Sequence, residues 1–167
     1  MYNKLTKKDI EDMKAEIEER KVKVRPELLE AVKEARAHGD LSENFEYYAA
    51  KKEKNKNESR INFLERMIKT AEIIDDESAS DEIGVNDTVK IQFLEDKTED
   101  TLTIVSTMRG DSLKKLVSVE SPIGKALLKH KVGDEVEIFV NKDFSYFVKV
   151  LAIAKDNLGE SAAIRSF

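Results

Sequence analysis

The chain has 167 residues, 38% of them charged and 40% hydrophobic, with a formal net charge of -5. That length admits one ordinary domain or two small ones with modest cores, and the composition is too apolar for a disordered chain. With no Cys and only His38 and His130, disulfides, thiolate catalysis and Cys- or His-rich zinc sites are excluded, and the negative balance limits any nucleic-acid contact to a local patch.

The opening "MYNKLTKKDIEDMKAEIEERK" has no apolar signal-peptide core, and no run reaches the length needed to span a bilayer. A soluble, cytoplasmic protein with no membrane partner is the expectation. From Leu5 to about Ile74 the chain carries helix formers, one Pro and one Gly. Thr6 is a candidate N-cap, with Asp9 three residues on as its capping partner. Ile10, Met13, Ile17 and Val24 recur at the steps of a coiled-coil seam. Pro26 should kink the helix or restart it, and Leu28, Val32 and Ala35 continue the stripe in a shifted register. The pattern stops at His38-Gly39, where Gly suits a C-terminal cap.

A second helical pattern runs through Tyr47, Ala50, Ile61, Leu64, Ile68 and Ala71. Two long amphipathic segments joined by a few residues bury their stripes against each other, which predicts an antiparallel hairpin. Arms of about thirty residues would carry the turn roughly 45 Å from the base. The acidic "DDESASDEIG" (75–84) reads as a linker. Beyond it the period becomes two in "DTVKIQF", "TLTIVS", "KLVSV", "DEVEIFV" and "FSYFVKVLAI", interrupted by one helical stretch, "SPIGKALLKH", with Pro122 near its first turn. The "RGD" at 109–111 reads as a hairpin turn. The predicted organisation is α+β: a coiled-coil hairpin over 1–76, a linker over 77–84, and a small antiparallel sheet domain with one short helix and a C-terminal extension over 85–167.

The hairpin turn, "HGDLSENFEYY" (38–48), places Asp40 and Glu43 three residues apart. Spacing alone fits a capping arrangement for the second helix, with Ser42 as a rival cap. It also fits two exposed carboxylates that share a hard cation such as Mg2+ with another molecule, since two acids alone make an incomplete site. Arg36 precedes the turn, and Lys51, Lys52, Lys54, Lys56 and Arg60 follow it, with Lys52, Lys56 and Arg60 at four-residue steps. Such a run is ordinarily a solvated face, with a path for one RNA strand as the alternative, Tyr47 or Tyr48 stacking a base. No glycine loop for phosphate is present.

The segment "VRPELLEAVKEARAHGDLSENFEYYAAKKE" (24–53) resembles the amino-terminal coiled coil of the Gre transcript-cleavage factors of bacterial RNA polymerase, and "VESPIGKALLKHKVGDEVEI" (119–138) resembles their FKBP-like carboxy-terminal domain. The resemblance implies a non-enzymatic accessory of the RNA polymerase elongation complex, a monomer that enters the secondary channel. There it stimulates the polymerase to hydrolyse backtracked RNA near its 3′ end. It assigns Asp40 and Glu43 to a catalytic Mg2+ shared with the polymerase, not bound stably by the isolated chain. It also assigns Arg36, Lys51 and Lys52 to RNA or channel contacts, and Glu120, Ser121 and Pro122 to polymerase docking. Phe45 stands where the family commonly has Ala, and the tail (154–167) runs past the usual end. Two other readings stay open: a channel-binding regulator or inhibitor without cleavage, and a coiled-coil oligomerisation module unrelated to transcription.

Overall fold

A computed structural model describes residues 3–39 and 44–166. The chain divides into two compact units, one made of Ile10–Ala71 and the other of the residues up to Asp9 with Glu72–Ser166. The fold is α+β, a helical hairpin and a sheet domain, as the two hydrophobic periods predict.

In the hairpin unit the first arm is α1 (Lys7–Glu19), a π-helical turn (Arg20–Val24) and α2 (Arg25–Ala37); the second is α3 (Phe45–Lys69). Pro26 lies in the first turn of α2. It has no N–H to return to the carbonyl four residues earlier, so the α-helical ladder cannot continue through it. The preceding π turn absorbs this break, with the Arg25 N–H donating to the Arg20 carbonyl. The wide turn rotates the stripe, which is the register shift expected at this point. Met13, Ala35, Ile61 and Leu64 are buried, and the remaining predicted stripe residues are half-buried.

Beside the π turn the arms meet through polar groups. Glu16 Oε2 accepts from Arg20 Nε at 2.7 Å and from Arg60 Nε across the hairpin at 2.8 Å. Arg20 Nη1 donates to Asn57 Oδ1 at 2.9 Å, and Asn57 Nδ2 returns to the Arg20 carbonyl at 3.4 Å. Arg25 grips Glu58 through two bonds of 2.7 and 2.9 Å. Asn57 and Arg60 are themselves buried. This corrects one expectation: Arg60 does not share a solvated basic face with Lys52 and Lys56, because it turns inward to Glu16.

The second unit holds a five-stranded sheet in the order β5-β4-β3-β7-β6, built from β3 (Thr88–Phe93), β4 (Glu99–Val105), β5 (Leu116–Ser118), β6 (Glu135–Phe139) and β7 (Ser145–Ala154). Its pairings are antiparallel except β4 with β5, which is parallel. The RGD segment therefore belongs to a loop that carries the chain back between parallel neighbours, not to a hairpin turn. The helix α4 (Pro122–Leu127) covers one face, and Val89, Ile91, Leu102, Ile104, Leu127, Val136, Ile138, Val148 and Val150 form the core. Ile83, at the end of the acidic 75–84 stretch, is buried in that core as well.

The N-terminus enters this unit in a way that periodicity does not announce. Lys4–Leu5 (β1) pairs in parallel with Glu72–Ile73 (β2), and Leu5 is fully buried. Thr6 and Asp9 form the expected capping box: Thr6 Oγ1 accepts from the Asp9 N–H at 3.2 Å, and Asp9 Oδ2 accepts from the Thr6 N–H at 2.8 Å. The other Asp9 oxygen takes the Nε–H of Arg109, and both side chains are buried. Arg109 Nη1 also donates to the Ala162 carbonyl, while the Arg165 N–H donates to Met108. The C-terminal extension is thereby held against the β4–β5 loop. Its Gly159 lies so close to Asn86 that a Cβ there would come within 2.4 Å of Asn86 Oδ1.

Two outcomes follow from these polar layers. Replacing one member of the buried pair, as in Asp9→Asn or Arg109→Ala, strands the other and should cost about 3–5 kcal/mol in denaturant unfolding; a loss below about 1 kcal/mol would contradict the burial described. For Glu16, burial pushes the carboxyl up, but hydrogen bonds and charge from Arg60 and Arg20 outweigh it and hold the group below its ordinary value. A depressed folded pKa means that its contribution is complete above the ordinary glutamate value of about 4.3 and fades as the pH falls through the folded value. Acid titration of hairpin helicity should show that loss in the unmodified protein, and Glu16→Gln should be less stable at neutral pH and show a shallower acid slope.

Candidate functional site

The two arms of the hairpin are tied together beside the turn by Asn44. It is the N-cap of α3: its Oδ1 accepts from the Tyr47 N–H at 3.0 Å, satisfying a first-turn donor. Its Nδ2 donates to the Ala35 carbonyl of α2 at 2.6 Å, adding to the His38 N–H that the same carbonyl accepts at 3.2 Å. One side chain thus links both helix ends. A second clasp links His38 Nδ1 and Glu46 Oε2 at 3.1 Å. Gly39 has φ +146°, a value glycine tolerates where a side chain would be strained.

Asp40, Ser42 and Glu43 lie outside the described residues. The capping role that their spacing suggested is filled by Asn44, whose signal in the sequence was simply an Asn directly before the first helical residue. Phe45, the first residue of α3, is 86% exposed.

Behind the turn, Arg36, Tyr47 and Lys51 come together. The Arg36 guanidinium lies 5.5 Å and the Lys51 ammonium 6.0 Å from the Tyr47 ring centroid, within the range of cation–π attraction. A hydrogen bond from Arg36, with the charges of Lys51 and Lys54, holds the Tyr47 hydroxyl below its ordinary pKa. Tyr48 stands beside Tyr47 with ring centroids 5.6 Å apart. Arg36, Lys51 and Lys52 are all exposed. The group can present positive charge and aromatic faces to an anionic strand.

Glu120, Ser121 and Pro122 lie together at the start of α4. Glu120 pairs with Lys4 Nζ at 2.6 Å, and that hydrogen bond and charge hold its carboxyl below the ordinary value. Ser121 is the N-cap: its Oγ accepts from the Gly124 N–H at 3.1 Å and donates to the Ser118 carbonyl at 2.6 Å. Pro122 is the first helical residue and is exposed. Gly124 permits this tight entry, because a Cβ there would meet the Ser118 carbonyl oxygen at 2.1 Å. Among the described residues no group of three or more His, Asp or Glu gathers in a way that could hold a metal ion, and no helix is long and apolar enough to cross a membrane.

Two family profiles match the chain. One, described as the N-terminal domain of a transcription elongation factor (GreA_GreB), covers residues 3–73, and the other, the GreA/GreB C-terminal domain, covers 77–155. The chain is 45% identical to the transcription elongation factor GreA of Chloroherpeton thalassium over 83% of its own length and 88% of that protein. It is 41% identical to GreA of Streptococcus thermophilus over 90% and 94%. A solved structure, the GreA factor homolog 1 (Gfh1) of Thermus thermophilus, is 28% identical, with 90% of this chain and 97% of that one covered at a TM-score of 0.41.

Asn44→Ala should remove both the cap and the link to Ala35. We expect about 1–2 kcal/mol of lost stability and faster amide hydrogen exchange at Tyr47, with little change in the sheet unit. Unchanged exchange there would mean that Asn44 does not hold the hairpin end.

Proposed function

The chain belongs to the GreA/GreB transcription elongation factor family, and we propose that it enters the secondary channel of RNA polymerase and stimulates cleavage of backtracked nascent RNA, rescuing arrested complexes. The observation that carries this reading is the pair of family matches that together span residues 3–73 and 77–155.

In this reading the hairpin is a carrier for two carboxylates. Asp40 is the principal oxygen donor and Glu43 supports it or orients the attacking water; both are hard ligands of the kind Mg2+ takes. The Mg2+ they would help hold in the polymerase active site supplies Lewis-acid activation of water and stabilisation of the leaving oxygen. The chain's own work is placement. Asn44 and the His38–Glu46 pair hold the helix ends on either side of the acids. Arg36, Lys51 and Lys52 meet RNA phosphates or the channel wall, where their charge is attracted and salt-sensitive. Glu120, Ser121 and Pro122 present a locally braced surface to the polymerase rim. The protein acts as a monomeric accessory, with the bond-breaking centre in the polymerase.

The test is a stalled, backtracked elongation complex in Mg2+. Addition of this protein should release short 3′ RNA fragments, and Asp40→Ala or Glu43→Ala should lower the release rate at least about tenfold without loss of polymerase binding. Slowed nucleotide addition with no fragments would replace this function with that of a channel-binding inhibitor.

A further inference from the structure

Four of the chain's seven Phe residues and one of its four Tyr gather at one end of the sheet: Phe93, Phe139, Phe144, Tyr146 and Phe147. Three of them are largely exposed, Phe139 at 64%, Phe144 at 56% and Phe147 at 49%, next to the equally exposed Val140. A highly charged protein does not ordinarily leave such a cluster in water unless something covers it. The register explains the division of the rings. Ile138 is opposite Tyr146 and faces the core, whereas Phe139 and Phe147 lie on the other face of β6 and β7.

At this end of the sheet the rings line a cleft of about 360 Å³, within the size range of ligand sites. Tyr146 lies between Phe93, at 5.9 Å between centroids, and Phe144, at 6.2 Å. The remaining lining residues are Glu95, Asp96, Thr98 and Phe147, so among the described residues the charged groups of the cleft are both carboxylates. Asp96 is held in place: its Oδ1 accepts from the Thr98 N–H at 3.0 Å and from the Thr98 hydroxyl at 2.7 Å.

We propose that this cleft receives an arginine side chain presented by an extended, apolar segment of a protein partner. Ring faces with two carboxylates at the rim match a planar cation, which can stack and hydrogen-bond at once. A phosphate backbone would meet the same carboxylates with repulsion, which selects protein over nucleic acid. The exposed Phe144 and Phe147 at the cleft would cover the apolar residues on either side of that arginine. The surface contains no residue of the hairpin and none of Glu120–Pro122, so it stands or falls separately from the cleavage function.

The probe is the peptide acetyl-Val-Arg-Val-amide, titrated into the full chain carrying labelled Phe and Tyr rings and followed by NMR. Saturable shifts of Phe93, Phe144 and Tyr146 are expected, with affinity falling about three- to tenfold when citrulline replaces arginine or when Glu95 is changed to Gln. Glu95 is exposed, so Glu95→Gln leaves the core intact; Phe144→Leu should weaken binding similarly. Absence of saturable ring shifts, or equal affinity for the citrulline peptide, overturns the proposal. Ring shifts that appear on concentrating the protein alone assign the cleft to a second copy and overturn it too.

Discussion

Glu16 stands between Arg20 on its own arm and Arg60 on the other, and everything the hairpin does depends on that contact holding the two arms in one register. Apolar seams tolerate sliding, because one Leu packs much like another a turn away. A half-buried carboxylate with two guanidinium partners does not, because any slip would leave the buried Arg60 guanidinium without it. Asn57 adds directional bonds to the same layer. The polar layer sits next to the π turn that Pro26 imposes, so the break in the ladder and the group that exploits it are neighbours. The stretch "KKEKNKNESR", which looks too polar for a zipper, supplies the residues that pin it.

The same logic operates at the base of the sheet unit. Asp9 closes a capping box with one oxygen and binds Arg109 with the other, and Arg109 passes the connection on to the C-terminal extension at Ala162. Three segments distant in sequence converge on one buried ion pair. The extension past the usual end of the family's fold is therefore part of the packing of this unit. Removing it would leave Arg109 short of an acceptor and expose the surface beneath Gly159.

For function, the hairpin's value lies in what it carries. On the proposed function, the acids of the turn need a scaffold that holds them in place. Asn44 bonds to the end of one helix and the start of the next with a single side chain. Arg36 and Lys51 flank Tyr47 behind it and keep positive charge exposed there. The sheet unit contributes a braced Glu120–Pro122 corner and, at another place, an aromatic cleft.

Much of this was legible in the chain itself. Periods of 3.6 and 2 separated the hairpin from the sheet, Thr6 with Asp9 announced the first cap, and Pro122 marked the start of α4, because these are local rules acting over a few residues. Other features depended on distant partners and had no local signal. Arg60 belonged to a basic run by spacing, and only the opposing Glu16 turned it inward. The RGD segment resembled a hairpin turn, and only the parallel pairing of β4 with β5 made it a return loop. Lys4–Leu5 became a strand because Glu72–Ile73 lay alongside. Sequence alone determined which residues could form each helix and strand, since backbone propensity and side-chain alternation are properties of neighbours along the chain. Tertiary structure decided which charges are buried and paired, since that depends on groups brought together from opposite ends of it.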